Sequence, residues 1–264
     1  MEFFDSHSHY NDEKFDEDRE EIIKQTYENS ITKFICAGYN IESSKLGLEI
    51  AKKHNFIYTI SGISPNDVPE SLEQIDSSIK QLEELIKNDN NKKIVAIGEI
   101  GLDYYWNKEN KEIQKETFKQ QINLANKYNL PIVIHTREAI CDTIEILKQN
   151  KVNNTGVFHC CPLNRELIKE GLSLGYYISF AGPITFKNSK NAEEIVKMVP
   201  LEKILIETDS PYLSPEPKRG TRNNCINVKY VAEKIANFKG LNIEEVAKTT
   251  YENAIKVFGI QSTR

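Results

Sequence analysis

An α/β fold, most simply a (β/α)8 TIM barrel, is what this chain predicts, and three observations predict it. Short apolar runs alternate with longer amphipathic ones along the whole sequence, and eight such runs can be counted. The runs are rich in Ile, Val, Phe and Tyr, as strands buried on both faces tend to be. Histidines and carboxylates gather where the runs end, and the C-terminal ends of the strands are where such barrels carry their sites.

In chain order the strands are expected at 3–5, 31–37, 56–61, 94–98, 131–135, 156–159, 176–180 and 203–207. Helices are expected between them, at 18–29, 41–54, 138–149, 164–171, 192–199 and 229–238. Ile75, Ile79, Leu82 and Ile86 share one helical face in the third gap, and Phe118, Ile122 and Ala125 share one in the fourth. Near the end, Asn242 and Glu245 stand at capping-box spacing before a helix that turns Ile243, Val246, Ala247 and Thr250 inward. Strand–helix alternation implies parallel pairing with right-handed crossovers. A doubly wound open sheet alternates in the same way and remains the alternative.

Residues 1–264 read as one domain, without repeats or a Ser/Gly-rich linker. The irregular stretch 210–224, rich in Pro, Arg and Asn, reads as a functional loop. The composition, 39% hydrophobic and 28% charged, fits a soluble chain. No run nears the ~18 apolar residues of a membrane span, and the N-terminus lacks a signal-peptide layout, so no membrane association and a cytoplasmic location are expected. Five cysteines without a CxxC pair suggest free thiols, and Cys160 and Cys161 read as small buried residues beside a strand end. The net charge of −5 does not suggest a nucleic-acid binder by itself. Nor does it exclude a nuclease, because an acidic enzyme can confine positive charge to one cleft.

Four of the five histidines carry the chemistry. His7 and His9 sit in Asp5-Ser6-His7-Ser8-His9, His135 in Ile134-His135-Thr136-Arg137, and His159 in Phe158-His159-Cys160. Carboxylates occupy matching places in Gly98-Glu99-Ile100-Gly101-Leu102-Asp103 and Glu207-Thr208-Asp209-Ser210-Pro211. An HxH pair in extended chain puts both imidazoles on one side, although alone it is more readily explained as a polar pair at a turn. His135 could equally cap a strand, Glu99 pair with Arg137 or a lysine, and Asp209 open an Asp-Ser-Pro turn. Together, His7, His9, Glu99, His135, His159 and Asp209 are better explained as metal ligands at one rim. Six ligands exceed the needs of one tetrahedral ion, so two divalent ions roughly 3.5–4 Å apart and bridged by Glu99 are expected. Such ions lower the pKa of a bound water to about 7, and Asp209, a ligand itself, would accept its proton. Arg137, Arg219 and Arg222 are candidate phosphate binders, with solvated surface arginine as the alternative. Tyr104, Tyr105 and Trp106 follow Glu99 closely and either stack bases or pack a turn. His54, in a charged helical stretch, falls outside the set.

In order and over nearly the whole chain, these motifs resemble the TatD-type deoxyribonucleases of the amidohydrolase-like superfamily. The resemblance extends through Ile134-His135-Thr136-Arg137-Glu138-Ala139, Glu207-Thr208-Asp209-Ser210-Pro211-Tyr212-Leu213 and Arg219-Gly220-Thr221-Arg222-Asn223. It implies a distorted TIM barrel, the same six ligands, two divalent ions and hydrolysis of DNA phosphodiesters. It also implies magnesium-dependent 3′–5′ exonuclease trimming of single strands or 3′ ends. On ligand grounds zinc suits the histidine-rich shell better, and manganese is the third candidate. Three departures stand out. Gly62-Ile63-Ser64-Pro65-Asn66 replaces the usual Gly-x-His-Pro-His, Cys161-Pro162 follows His159, and Cys225 stands where a proline is common. Hydrolysis is expected to survive these changes with an altered rate or substrate range. Hydrolysis of another phosphoester, ester or amide is the alternative, and a non-catalytic metal-binding protein a further one. The sequence leaves the oligomeric state open, a monomer included.

Overall fold

In the computed structural model, which describes residues 1–261, eight strands form one sheet ordered β1 to β8. They are β1 (Phe3–Ser8), β2 (Ile31–Ala37), β3 (Ile57–Ser61), β4 (Ile94–Asp103), β5 (Ile132–Arg137), β6 (Gly156–Phe158), β7 (Tyr177–Phe180) and β8 (Ile204–Ile206). The helices are α1 (Arg19–Glu28), α2 (Ile41–Lys53), α3 (Leu72–Lys87), α4 (Lys111–Tyr128), α5 (Ile140–Gln149), α6 (Arg165–Ser173), α7 (Ala192–Met198), α8 (Val228–Lys239) and α9 (Ile243–Val257). Every strand pairs in parallel with the next. Among the described helices, none is long and apolar enough to cross a membrane.

Closure decides between barrel and open sheet, and it is made at the β8–β1 seam by loops and one buried carboxylate. Asp209 N–H donates to His7 O at 2.9 Å, and His9 N–H donates to Ser210 O at 2.7 Å. Asp5, fully buried, accepts from Thr208 N at 3.0 Å and from Thr208 Oγ1 at 2.5 Å. The fold is therefore a (β/α)8 TIM barrel, distorted where this seam replaces a regular ladder.

Alternation along the strands sorts the core into two layers. Phe4, Ile35, Ile60, Val95, Val133, Val157 and Leu205 pack together with Val257 and Phe258 at the end of α9. The Phe4 ring lies 5.7 Å from Tyr251 and 6.1 Å from Phe258, so the C-terminal helix packs against this inner layer. Phe3, Phe34, Phe118 and Phe158 belong to the outer layer, beneath the helices. Burying one such side chain is worth roughly 1.5–3 kcal/mol.

Two expectations need correction. β1, β4 and β5 run past the predicted ends at 5, 98 and 135, so His7, Glu99 and Asp103 are strand residues. The strand β4 can continue because its register against β5 slips between Ile97 and Ile100, placing Glu99 at the irregularity. Beyond it, Gly101 has φ +137, and a Cβ there would lie 2.0 Å from His135 O. Only glycine permits that approach. The predicted capping box at Asn242 is not made: Asn242 is the N-cap of α9 without a side-chain bond. The reciprocal box occurs instead at α2, between Asn40 and Ser43.

Candidate metal centre

The mouth of the barrel is a cavity of about 690 Å³, within the ~300–1,000 Å³ usual for ligand sites. Five of the six expected ligands line it, the sixth, His7, is buried against them, and together they come from five strands or their ends. His7 is fully buried in β1, and His9 follows it; their Nε2 atoms face each other at 3.3 Å. Glu99 Oε2 lies 3.5 Å from His7 Nε2 and 3.8 Å from His9 Nε2. Asp209 Oδ1 approaches His9 Nε2 to 3.2 Å and His7 Nε2 to 3.8 Å. A second group meets the other carboxylate oxygen. His135 Nδ1 is 2.9 Å and His159 Nε2 3.2 Å from Glu99 Oε1, and the two imidazole nitrogens are 3.2 Å apart.

These separations fit a divalent cation. Two nitrogens each 2.0–2.1 Å from one tetrahedral ion would lie about 3.3 Å apart. Ligand-sized groupings occur as His7–Glu99–His159 and as His7–His9–Asp209. The first joins one histidine from each pair, His7 and His159, whose rings stack at 4.0 Å. At His9 the backbone decides which nitrogen the cluster receives: its Nδ1 lies 3.0 Å from Ala37 O, which leaves Nε2 turned to the cluster.

The acids and bases of the cluster shift one another. Burial opposes protonation of His9, but the hydrogen bond and charge of Asp209, with Glu99, raise its pKa. His135 is raised against burial by bonds to Asp103 and Glu99, and His159 well above its usual value by Glu99 and Glu207. Burial and the neighbouring His159 lower His7. Burial alone would raise Glu99, yet His159 and His135 hold it well below the carboxylate range. Asp209 is brought down to about 2 against burial, chiefly by His9. Such mutual dependence of buried acids and bases marks candidate functional sites.

Two buried carboxylates support the cluster without having been assigned a role from the sequence. Asp103 Oδ2 lies 2.9 Å from His135 Nε2, and its Oδ1 accepts from the N–H groups of Tyr105 at 2.9 Å and Trp106 at 3.1 Å. Glu207, fully buried, has Oε1 3.4 Å from His159 Nδ1 and accepts there from Cys160 N–H at 2.6 Å. Both belong to motifs visible in the sequence. Spacing alone did not show which carboxylate faces the metal side and which stands behind a histidine.

The arginines separate. Arg137 lines the cavity, its guanidinium 3.8 Å over the Tyr105 ring and 5.5 Å from Trp106. Arg219 instead lies 3.9 Å over Phe186, and Arg222 is held by Asp18 at 2.9 and 2.5 Å and by Lys14 O at 2.6 Å. Neither is among the described residues lining the cavity. Tyr104 is buried and donates to Asp142 at 2.6 Å, so it packs the turn; Trp106 is exposed at the cavity edge. In the loop 210–224, Tyr212 and Leu213 reach the cavity, tied down by buried Asn223, whose Nδ2 donates to Thr208 O and Tyr212 O. His54 pairs with Glu20 at 3.1 Å and lies outside the cavity lining. All five cysteines are free thiols.

The sequence profile of the TatD-related DNases matches residues 4–259. The chain belongs to the TatD-related DNase family. As a TatD-family member it is 42% identical over 258 residues to the metal-dependent hydrolase YabD of Bacillus subtilis, covering 97% of this chain and 99% of YabD. A Methanocaldococcus jannaschii relative, the metal-dependent hydrolase MJ1582, is 36% identical over 258 residues, or 98% of this chain and 97% of its own. Among solved structures, the TatD homologue YjjV of Escherichia coli superposes with a TM-score of 0.90 at 25% identity, covering 98% of both chains. The TatD-family assignment and the closed barrel agree.

Proposed function

We propose that this TatD-family hydrolase cleaves DNA phosphodiester bonds as a 3′–5′ exodeoxyribonuclease. One observation carries the reading: Glu99 turns its two oxygens to two different histidine pairs within one cavity, beside the guanidinium of Arg137. His7, His9, Asp209 and Oε2 of Glu99 would hold one divalent ion, and Oε1 of Glu99 with His135 and His159 a second. Bound there, Mg2+, Mn2+ or Zn2+ supplies Lewis-acid stabilisation of phosphoryl charge and a nucleophile at neutral pH.

The chain's own groups do the remaining work. Asp209, held ionised by His9, has a carboxylate oxygen available to take a proton at the cluster. Glu99, also ionised, keeps both histidine pairs in register. Arg137, held over the Tyr105 ring, directs guanidinium donors to phosphate oxygens, and Trp106 presents a ring face to a base. Asp103 fixes the orientation of His135.

Purified protein supplied with Mg2+, Mn2+ or Zn2+ should shorten 5′-labelled single-stranded DNA from its 3′ end. His135→Ala and Asp209→Ala should each abolish that shortening. DNA left intact with all three metals would withdraw the proposal. One observation favours a second reading, hydrolysis of a smaller phosphoester, ester or amide: uncharged Ser64 and Asn66 line the cavity at the positions of the usual histidines. Faster turnover of a small ester than of DNA would decide for it.

A further inference from the structure

The cavity walls above the metal centre carry opposite charge, and this bears on which substrate end fits. On one side stand Tyr39 after β2, Ser64, Asn66 and Asp67 after β3, and Tyr212 after β8. Trp106 after β4 and Arg137 at the end of β5 stand on the other. Strand order separates the sides, because β8, β1, β2 and β3 follow one another around the barrel and β4 and β5 come next.

The first wall is fixed and acidic. Asp67 Oδ2 accepts from Ser64 Oγ at 2.7 Å, and its Oδ1 accepts from Asn40 Nδ2 at 3.0 Å. Both partners are neutral, so the carboxylate keeps its negative charge facing the cavity. Behind Tyr212, Asp12 accepts the phenol hydroxyl at 2.6 Å. Lys14 is the nearby cation, but its Nζ lies 4.2 Å over the ring of Tyr212 and it does not line the cavity. The second wall is basic. Arg137 is held by stacking alone: among the described residues it has no salt-bridge partner and no side-chain hydrogen bond, so its donors remain open to a ligand.

Resting on the nuclease reading, we infer that this charge asymmetry makes the enzyme select an uncharged end. The anionic strand runs out over Arg137 and Trp106. The far flank of the reacting phosphodiester faces Ser64, Asn66 and Asp67, where a terminal sugar hydroxyl finds hydrogen-bond partners. A further phosphate there, whether terminal or leading into more strand, sets negative charge beside Asp67. Asp67 is thus a specificity-determining residue for a 3′-hydroxyl end, and Arg137 its counterpart for the body of the strand. The acidic wall acts by excluding phosphate and needs no cation of its own.

The test compares two short single strands, 5′-fluorescein labelled, whose last linkage is a phosphorothioate to slow cleavage. One ends in a 3′-hydroxyl and the other in a 3′-phosphate. Fluorescence anisotropy with metal-loaded protein should show the hydroxyl end bound tighter on the order of tenfold at low salt. That ratio should shrink as salt rises, because screening weakens repulsion between exposed charges. Asp67→Asn should bring the ratio close to one, whereas Arg137→Ala should weaken both strands and leave the ratio standing. Equal binding of the two strands by the wild type, or a ratio unmoved by salt or by Asp67→Asn, overturns the inference. If Asp67→Asn does not fold, the salt dependence of the wild-type ratio decides alone. Equal binding with cleavage overturns only end selection, while neither binding nor cleavage of either strand withdraws the nuclease reading as well.

Discussion

Replacing Asp103 by Asn tests how the centre is built with little change of shape. The Asn carbonyl oxygen can still accept from Tyr105 and Trp106, as Asp103 Oδ1 does now. The amide nitrogen would take the place of Oδ2, which stands 2.9 Å from His135 Nε2. An NH2 group cannot accept a proton from Nε2. His135 would then keep its proton on Nδ1, the atom 2.9 Å from Glu99 Oε1 and turned to the cluster. A protonated nitrogen cannot bind a metal. Loss of the carboxylate behind a metal-binding histidine lowers affinity about 10–100-fold, equivalent to roughly 1.4–2.7 kcal/mol. Calorimetric titration of metal-free wild type and Asp103→Asn with Zn2+ measures the difference, and 15N NMR of the histidine rings reports which nitrogen of His135 is protonated. Unchanged affinity together with a proton still on Nε2 would refute the reasoning.

Further outcomes are expected. Metal binding should release protons, because His9, His135 and His159 are raised above 6.5 and must become neutral to ligate; titrations in buffers of different ionisation enthalpy count them. Those histidines stabilise the metal-free fold below pH 6.5, and denaturant titrations should show that contribution lost as pH rises through their raised values. The sign reverses for Glu99 and Asp209, which are lowered and lose their contribution as pH falls through their folded values. Gly101→Ala should destabilise the fold by at least ~2 kcal/mol in urea unfolding, since φ +137 and a Cβ 2.0 Å from His135 O add strain to a clash. Arg222→Ala should cost no more than about 1 kcal/mol and leave DNA hydrolysis near wild type, because its half-exposed pair with Asp18 lies outside the cavity; Arg137→Ala should raise KM for DNA.

Much of the candidate site was legible because only a few residue types can ligate a metal. Histidines and carboxylates at strand ends stand out against apolar runs, and all six candidates gather in one cluster at the barrel mouth. The arginines were not legible, since a guanidinium on a loop is equally suited to phosphate, a carboxylate or a ring face. Arg137 met Tyr105, Arg219 met Phe186 and Arg222 met Asp18. Strand limits at Glu99 were also hidden, because a register slip depends on the neighbouring strand.

Alternating apolar and amphipathic runs, by themselves, determined an eight-stranded parallel α/β architecture, and the histidine and carboxylate motifs at the run ends named the candidate ligands. Burial periodicity and ligand chemistry are properties of local sequence, so they can be read along one chain. Closure at Asp5 and Thr208, the backing of His135 by Asp103, the division of Glu99 between two histidine pairs, and the opposed charges of the cavity walls were decided only in three dimensions. Each depends on distances between residues remote in sequence, and a hydrogen bond or a Coulomb interaction exists only once the fold has set that distance.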